Sequence, residues 1–221
     1  MIEHIASEIV HLLPERALYW PGQRMLVVAD IHFGKAASFR ALGVPVPRGT
    51  TAQNLAVLDR LLVRYAIEQI IFLGDFLHAA NARAAGTLAT IETWRGRYPA
   101  LSLLLVRGNH DVHAGDPPPT LRIDSVDAPY YVDPFAFCHH PAALPGSYVM
   151  AGHVHPIIWL SSRVDRVRLP CFLVGPQRMI LPSFGAFTGG FAVTPMPDEQ
   201  VYAVTDDRVI AIRAPLRIGR L

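Results

Sequence analysis

Short apolar runs, each closed by a cluster of polar residues, recur along the chain. Met25–Ala29, Ile70–Leu73, Leu101–Val106, Phe135–Cys138 and Tyr148–Ala151 are hydrophobic almost throughout. Runs of that length without alternation predict strands buried on both faces of a sheet. Between the first two, Leu55, Leu58, Leu61, Leu62 and Tyr65 fall at helical spacing, which predicts a helix over Thr50–Tyr65 with Thr50 or Thr51 as N-cap. A second helix is predicted over Arg83–Arg97, closed by Pro99. Strand, helix, strand, helix, strand implies βαβ crossovers and a partly parallel sheet. After Phe135 the strands crowd together. Ile157–Leu160, Arg168–Val174, Arg178–Leu181, Val201–Thr205 and Arg208–Ile212 are expected to form an antiparallel second sheet, with a hairpin turn at Asp206-Asp207. Residues 112–129 hold Pro117-Pro118-Pro119 and little periodicity, so a long loop is expected there. Two sheets with helices outside, in a single domain over residues 1–221, is the simplest architecture.

Composition narrows the class. Of the 221 residues 51% are hydrophobic and 17% charged, which excludes a disordered chain. The mean hydropathy of +0.27 raises the question of a membrane. The densest apolar stretch, Leu101–Val106, is far shorter than the ~18 residues a spanning helix needs. The start, Met1-Ile2-Glu3-His4-Ile5, lacks the basic segment of a signal peptide. A soluble, cytoplasmic protein without a membrane partner is expected. Cys138 and Cys171 form no C-x-x-C pair and read as buried small hydrophobes. The net charge of +2 is no nucleic-acid footprint by itself, and neither a basic stripe nor an aromatic platform stands out.

The polar clusters carry the chemistry. The five strands end in Asp30-Ile31-His32, Gly74-Asp75, Gly108-Asn109-His110-Asp111, His139-His140 and Gly152-His153-Val154-His155. Seven of the ten histidines (His32, His78, His110, His139, His140, His153 and His155) belong to or abut these ends. Asp, Asn and His are oxygen and nitrogen ligands of divalent metals, and strand C-termini are where α/β folds build sites. In Asp-x-His and His-x-His, residues i and i+2 of an extended chain point to one side, so both reach one ion or two adjacent ones. The glycines allow the backbone to turn and approach the site. Two metals ~3.5–4 Å apart need a shared ligand, and Asp75, in the middle of the set, is the natural bridge.

This ordered set resembles the calcineurin-like metallophosphoesterase superfamily over residues 25–156. The resemblance implies a four-layer α/β/β/α sandwich, two mixed β-sheets flanked by helices, around two divalent metal ions, most often Mn²⁺, with Fe or Zn as alternatives. Carried over by motif, one ion falls to Asp30, His32, Asp75 and His155. The other falls to Asp75, Asn109, His139 and His153. His110 is then the catalytic histidine that binds no metal, oriented by Asp111. At the fourth motif many members have His-Gly where this chain has His139-His140. The first histidine aligns with the ligand, and His140 either supports it or competes with it.

Residues 29–48 (ADIHFGKAASFRALGVPVPR), Cys138-His139-His140-Pro141 and residues 182–190 (PSFGAFTGG) are similar to the ligase-associated DNA damage response endonuclease family PdeM. That resemblance spans about residues 20–215. It implies a bacterial phosphodiesterase and DNA endonuclease, associated functionally with an ATP-dependent DNA ligase and a helicase. The expected chemistry is attack on phosphorus by hydroxide held between the metals, with His110 protonating the leaving alkoxide. A phosphodiesterase for cyclic nucleotides or nucleotide-linked metabolites is the alternative. A non-catalytic scaffold, the third use of such a fold, predicts lost ligands, and none is missing. Other residues stay open: His78 touches the site or is solvated, Lys35 and Arg40 meet phosphates or water, Arg107 neutralises phosphate or pairs with an acid, and Thr188-Gly189-Gly190 lines the groove or only turns. No P-loop or nucleophile elbow is present.

Overall fold

A computed structural model describes residues 1–46, 48–79, 82, 84–161 and 164–212. Arg83, where the second helix was expected to start, lies outside the described residues, as does 213–221 of the expected domain.

The first sheet runs in chain order: β1 (Ile2–Ile5), β2 (Glu8–Leu12), β3 (Ala17–Trp20), β4 (Met25–Ala29), β5 (Gln69–Leu73), β6 (Ser102–Val106) and β7 (Asp124–Val126). Strands β1 to β4 form an antiparallel meander, and β4 to β7 are parallel. Helices α1 (Lys35–Ala41) and α2 (Thr50–Arg64) connect β4 to β5, and α3 (Ala85–Arg97) connects β5 to β6. The short α4 (Asn109–Ala114) follows β6. The second sheet holds β8 (Tyr130–Val132), β9 (Phe135–Cys138), β10 (Tyr148–Ala151), β11 (Pro156–Ser161), β12 (Arg166–Val174), β13 (Arg178–Ile180), β14 (Phe191–Ala192), β15 (Gln200–Val204) and β16 (Val209–Ile212).

Side chains alternate across a strand, so each central run serves two cores. Val27, Ala29, Ile71, Leu73, Leu104 and Val106 face the second sheet and pack with Phe135, Phe137, Met150, Phe172 and Met179. Leu26, Val28, Ile70, Phe72, Leu103 and Leu105 face outward onto Leu55, Leu58 and Leu61 of α2 and Ile91 and Trp94 of α3. The two-sheet sandwich with flanking helices follows from this double burial. Trp94 Nε1 and the Tyr98 hydroxyl both donate to Asp59 Oδ1, at 2.8 Å each, which ties α3 to α2.

Several local expectations need correction. The five strands expected to be antiparallel, β11, β12, β13, β15 and β16, pair so among themselves, and the second sheet is mixed because β9 and β10 join it parallel to β13 and β14 pairs parallel with β11. Residues 112–129 are no single loop. They carry the end of α4, a 3-10 turn at Pro119–Leu121 with Leu121 fully buried, and β7, which is too short to show a period. The N-cap of α2 is Gly49, at φ 86°, and not a threonine. Thr51 Oγ1 instead accepts the Gly34 N–H, at 3.4 Å. The Asp206-Asp207 turn between β15 and β16 is as expected.

Asn54, buried on α2, clamps two site-bearing loops. Its amide donates to the Ile31 carbonyl, at 3.1 Å, and its Oδ1 accepts the Ala186 N–H, at 2.9 Å. Asn54→Ala leaves both backbone groups short of a partner and is expected to lower the unfolding free energy by about 2–4 kcal/mol. Gln53→Ala, on the exposed side of the same turn, is expected to stay within about 0.5 kcal/mol. Urea unfolding of both variants checks the difference.

Candidate metal centre

The polar clusters meet at the C-terminal ends of β4, β5, β6, β9 and β10. Asp30, His32, Asp75, His153 and His155 all have left-handed backbone, with φ of 52°, 47°, 52°, 68° and 51°. Non-glycine residues seldom adopt it, so the chain spends strain here to turn each strand end sharply. Gly74, at φ 73°, is where the backbone passes closest: a Cβ there would lie 2.1 Å from His139 Nδ1. Beside Gly152 a Cβ would lie 2.7 Å from Asp30 Oδ2. Glycine is required at both by the side chain opposite.

The ligand atoms converge in overlapping groups. One oxygen or nitrogen from each of Asp30, His32, Asp75 and His155 lies within 4.8 Å of the others. His32 Nε2 is 3.4 Å from His155 Nε2 and 3.6 Å from Asp75 Oδ2, and His155 Nε2 is 3.4 Å from Asp30 Oδ1. A second group centres on His139: Nε2 stands 2.8 Å from Asn109 Oδ1, 3.1 Å from His153 Nδ1 and 3.4 Å from Asp75 Oδ1. Asp75 therefore turns one oxygen to each group. Its Oδ1 also accepts the His110 N–H, at 3.0 Å.

Between the paired histidines, His139 is buried and His140 exposed. His139 Nδ1 donates to the Leu73 carbonyl, at 2.9 Å, which leaves the Nε2 lone pair facing the group. The His140 ring leans on His153, 4.1 Å between centroids. Burial lowers the His139 pKa to about 4 and that of His32 further. Both imidazoles are neutral at neutral pH, the form that binds metal.

Asp111 does not orient His110. Its carboxylate is taken up by three backbone N–H groups, of Asp75 at 2.7 Å, Phe76 at 2.9 Å and Gly108 at 2.8 Å. It fixes the β5 and β6 loops against each other. Burial, with Asp75 adding to it, pushes the Asp111 carboxyl up to about 6 despite those donors. The partner of His110 Nδ1 is the His78 carbonyl, at 2.6 Å, and the His78 ring stacks on His110, centroids 5.0 Å apart. His110 Nε2 is left 3.9 Å from Asp75 Oδ2. His78 thus touches the site, and His32, His78 and His110 form a third convergent group. Burial and then the Lys35 charge lower the His78 pKa to about 4. Lys35, itself lowered by burial, feels Asp75 and Asp30, so it stands at the rim of the acidic centre. Arg107 is structural, bonded to Asp116 and Asp127. Sequence reasoning missed Asn54, and took in Ser183 only within residues 182–190, without a role of its own. The Ser183 hydroxyl donates to the Asp30 carbonyl, at 2.8 Å, and nothing in the periodicity marks either.

Mixed carboxylate, amide and imidazole donors, with Asp30, His32, Asp75 and His139 buried and all aimed at common points, fit divalent cations. The buried His32 Nδ1 has no hydrogen-bond partner among the described residues. Fold and site together define a metal-dependent phosphoesterase. The family model for calcineurin-like phosphoesterases matches residues 23–169, and the chain belongs to that family. The crystal structure of Pseudomonas putida nuclease MPE superposes with a TM-score of 0.86 at 45% identity, over 96% of this chain and 99% of that one. That likeness, over nearly the whole length, agrees with the resemblance to the PdeM family. The protein of unknown function AQ665 from Aquifex aeolicus aligns at 20% identity and a TM-score of 0.40, over 59% of this chain and 78% of that one. No curated protein matches.

Because Asp111 holds backbone rather than His110, Asp111→Asn is expected to lower stability by about 1–3 kcal/mol, one amide oxygen replacing two acceptor oxygens. Thermal and urea unfolding check this. An orienting role for Asp111 predicts slower turnover at unchanged stability.

Proposed function

We propose that this phosphoesterase is a dinuclear-metal phosphodiesterase that cuts DNA strands. The observation that carries the dinuclear reading is Asp75, which turns one oxygen to each donor group. Asp30, His32, Asp75 and His155 are assigned to one ion, and Asp75, Asn109, His139 and His153 to the other. His139 is preferred to His140 because only its Nε2 faces Asn109 and Asp75 from a buried position. Mn²⁺ is the proposed metal, with Fe or Zn as alternatives, since oxygen and nitrogen donors are mixed. Likeness to a nuclease supports a nucleic-acid substrate. A role in bacterial DNA repair, beside an ATP-dependent ligase and a helicase in the cytoplasm, rests on the PdeM resemblance. No helix among the described residues is long and apolar enough to cross a membrane. Both sheets share one core and both supply the site, which supports reading the chain as a single domain.

Two bound cations supply Lewis-acid charge and make water a nucleophile near neutral pH. The protein's own part is orientation. With Nδ1–H committed to the His78 carbonyl, His110 carries its transferable proton on Nε2, on the Asp75 side of the ring. From there it protonates the leaving oxygen and steadies charge on the phosphoryl group. Asp111 and Asn54 hold the loops and leave the reacting atoms to others.

Purified protein with Mn²⁺ is expected to nick single-stranded DNA and to hydrolyse bis(p-nitrophenyl) phosphate, with EDTA abolishing both. Brisk hydrolysis of the small diester with intact DNA favours the small-molecule reading. Asp75→Ala is expected to lose metal at both positions and Asn109→Ala mainly at one, counted by mass spectrometry. Two ions retained in Asp75→Ala removes the bridge.

His110→Ala is expected to keep its metal and lose about 10²–10⁴-fold in rate on DNA, whose alkoxide leaving group needs a proton. The nitrophenolate of the small diester leaves unaided, so its loss is expected to be smaller. Equal losses would leave His110 only the task of stabilising charge, and loss of metal would make it a ligand.

A further inference from the structure

A cleft of about 250 Å³ opens beside His155, between Ser183, Thr188, Arg16 and Arg168. Pro170 and Ala186 line both it and a wider cleft of about 520 Å³, bounded by Gln53 and Arg60 of α2 and by Asp206 of the β15–β16 turn. His155 of the metal centre lines the smaller cleft, and two arginines, Arg16 in the turn between β2 and β3 and Arg168 on β12, line both.

These two guanidiniums are unusual in their company. Among the described residues, neither forms an ion pair with a carboxylate. The other groove arginine, Arg60, stands beyond them on α2. Two carboxylates, Glu15 and Asp206, are on the walls: Glu15 Oε1 is bound to Arg64, at 2.7 Å, and its buried Oε2 has no hydrogen-bond partner among the described residues. Burial lowers the Arg16 pKa, Asp206 opposes this, and the Arg168 charge adds to the lowering. Both guanidiniums line the same two clefts, so an anion in either meets both. Arg168 is exposed and its Nη2 lies against Gly190: a Cβ there would lie 2.7 Å from Nη2 and 3.1 Å from the His155 carbonyl, so the guanidinium stands beside the loop that carries His155. Guanidiniums without a carboxylate ion pair at a cleft wall are met by an anion with several oxygens, and each fork matches a phosphate.

We propose that Arg16 and Arg168 form a subsite for a backbone phosphate flanking the phosphodiester that is cut, and so favour a polynucleotide strand over a small diester. The inference rests on the nuclease reading above. A single-stranded chain threads the groove with one phosphate at the metal centre and a neighbour between the arginines. A mononucleotide diester occupies the first position and leaves the second empty.

Steady-state cleavage of a single-stranded oligonucleotide with Mn²⁺ tests this, with bis(p-nitrophenyl) phosphate run on the same preparations. Arg168→Gln and Arg16→Gln are each expected to raise KM for DNA by about tenfold with little change in kcat, and to lower the ratio of DNA to small-diester activity. The slope of log affinity against log salt is expected to shrink by about 0.7 for each arginine removed. Arg97→Gln, on α3, controls for net charge, with the loss of its own surface ion pair to Asp59. Should half-buried Arg16→Gln fail to fold, Arg16→Lys and the charge reversal Arg168→Glu on its exposed neighbour carry the comparison. A DNA KM within about twofold of the parent, or a loss equal to that of Arg97→Gln, overturns the subsite and leaves the nuclease reading intact. Intact DNA with the parent protein overturns both.

Discussion

Everything at this site depends on holding two buried carboxylates, Asp30 and Asp75, among imidazoles that desolvation keeps neutral. Removing a carboxylate from water is costly unless donors or cations meet it. The protein meets part of that cost with backbone: the His153 N–H donates to Asp30 and the His110 N–H to Asp75. Divalent cations supply what those amides cannot. The strained turns follow from the same demand, because only sharp strand ends bring amides and side chains to one point.

The frame behind the site is correspondingly stiff. Asp111 fastens the β5 and β6 loops, Asn54 fastens the β4 loop to residue 186, and Ser183 holds the Asp30 carbonyl. Residues 181–184 bond to both sheets, Leu181 N–H to Ala151 and Phe184 N–H to Ala29. Each is a buried polar group with its partner supplied, which is how polar loops survive beside a core.

The central strands were legible because burial on both faces leaves an uninterrupted apolar run, as in Ile70–Leu73. The residues of the donor groups were legible because Asp, Asn and His after such runs have few other uses. The N-terminal meander, β1 to β3, was not: its burial is irregular, with Ile2 and Ile9 exposed and His11 half-buried. Strand β7, of three residues, is shorter than any period. The partner of His110 was misread because sequence adjacency suggested Asp111, whereas residue 111 lies on α4 facing backbone and a carbonyl 32 positions away does the orienting. Asn54 and the Arg16–Arg168 groove are tertiary facts, set by how α2 and β12 pack. Spacing along the chain carries no trace of them.

Each of the two donor groups assigned to an ion draws on both halves of the sandwich. Asp30, His32 and Asp75 come from the first sheet and His155 from the second, while Asn109 and Asp75 face His139 and His153 across the same seam. A cation bound at either point works as a rivet between the sheets. Occupancy and sheet docking then share one equilibrium: whatever strengthens binding also tightens the sandwich, by mass action. Metal supply in the surroundings becomes a determinant of how long the folded chain persists.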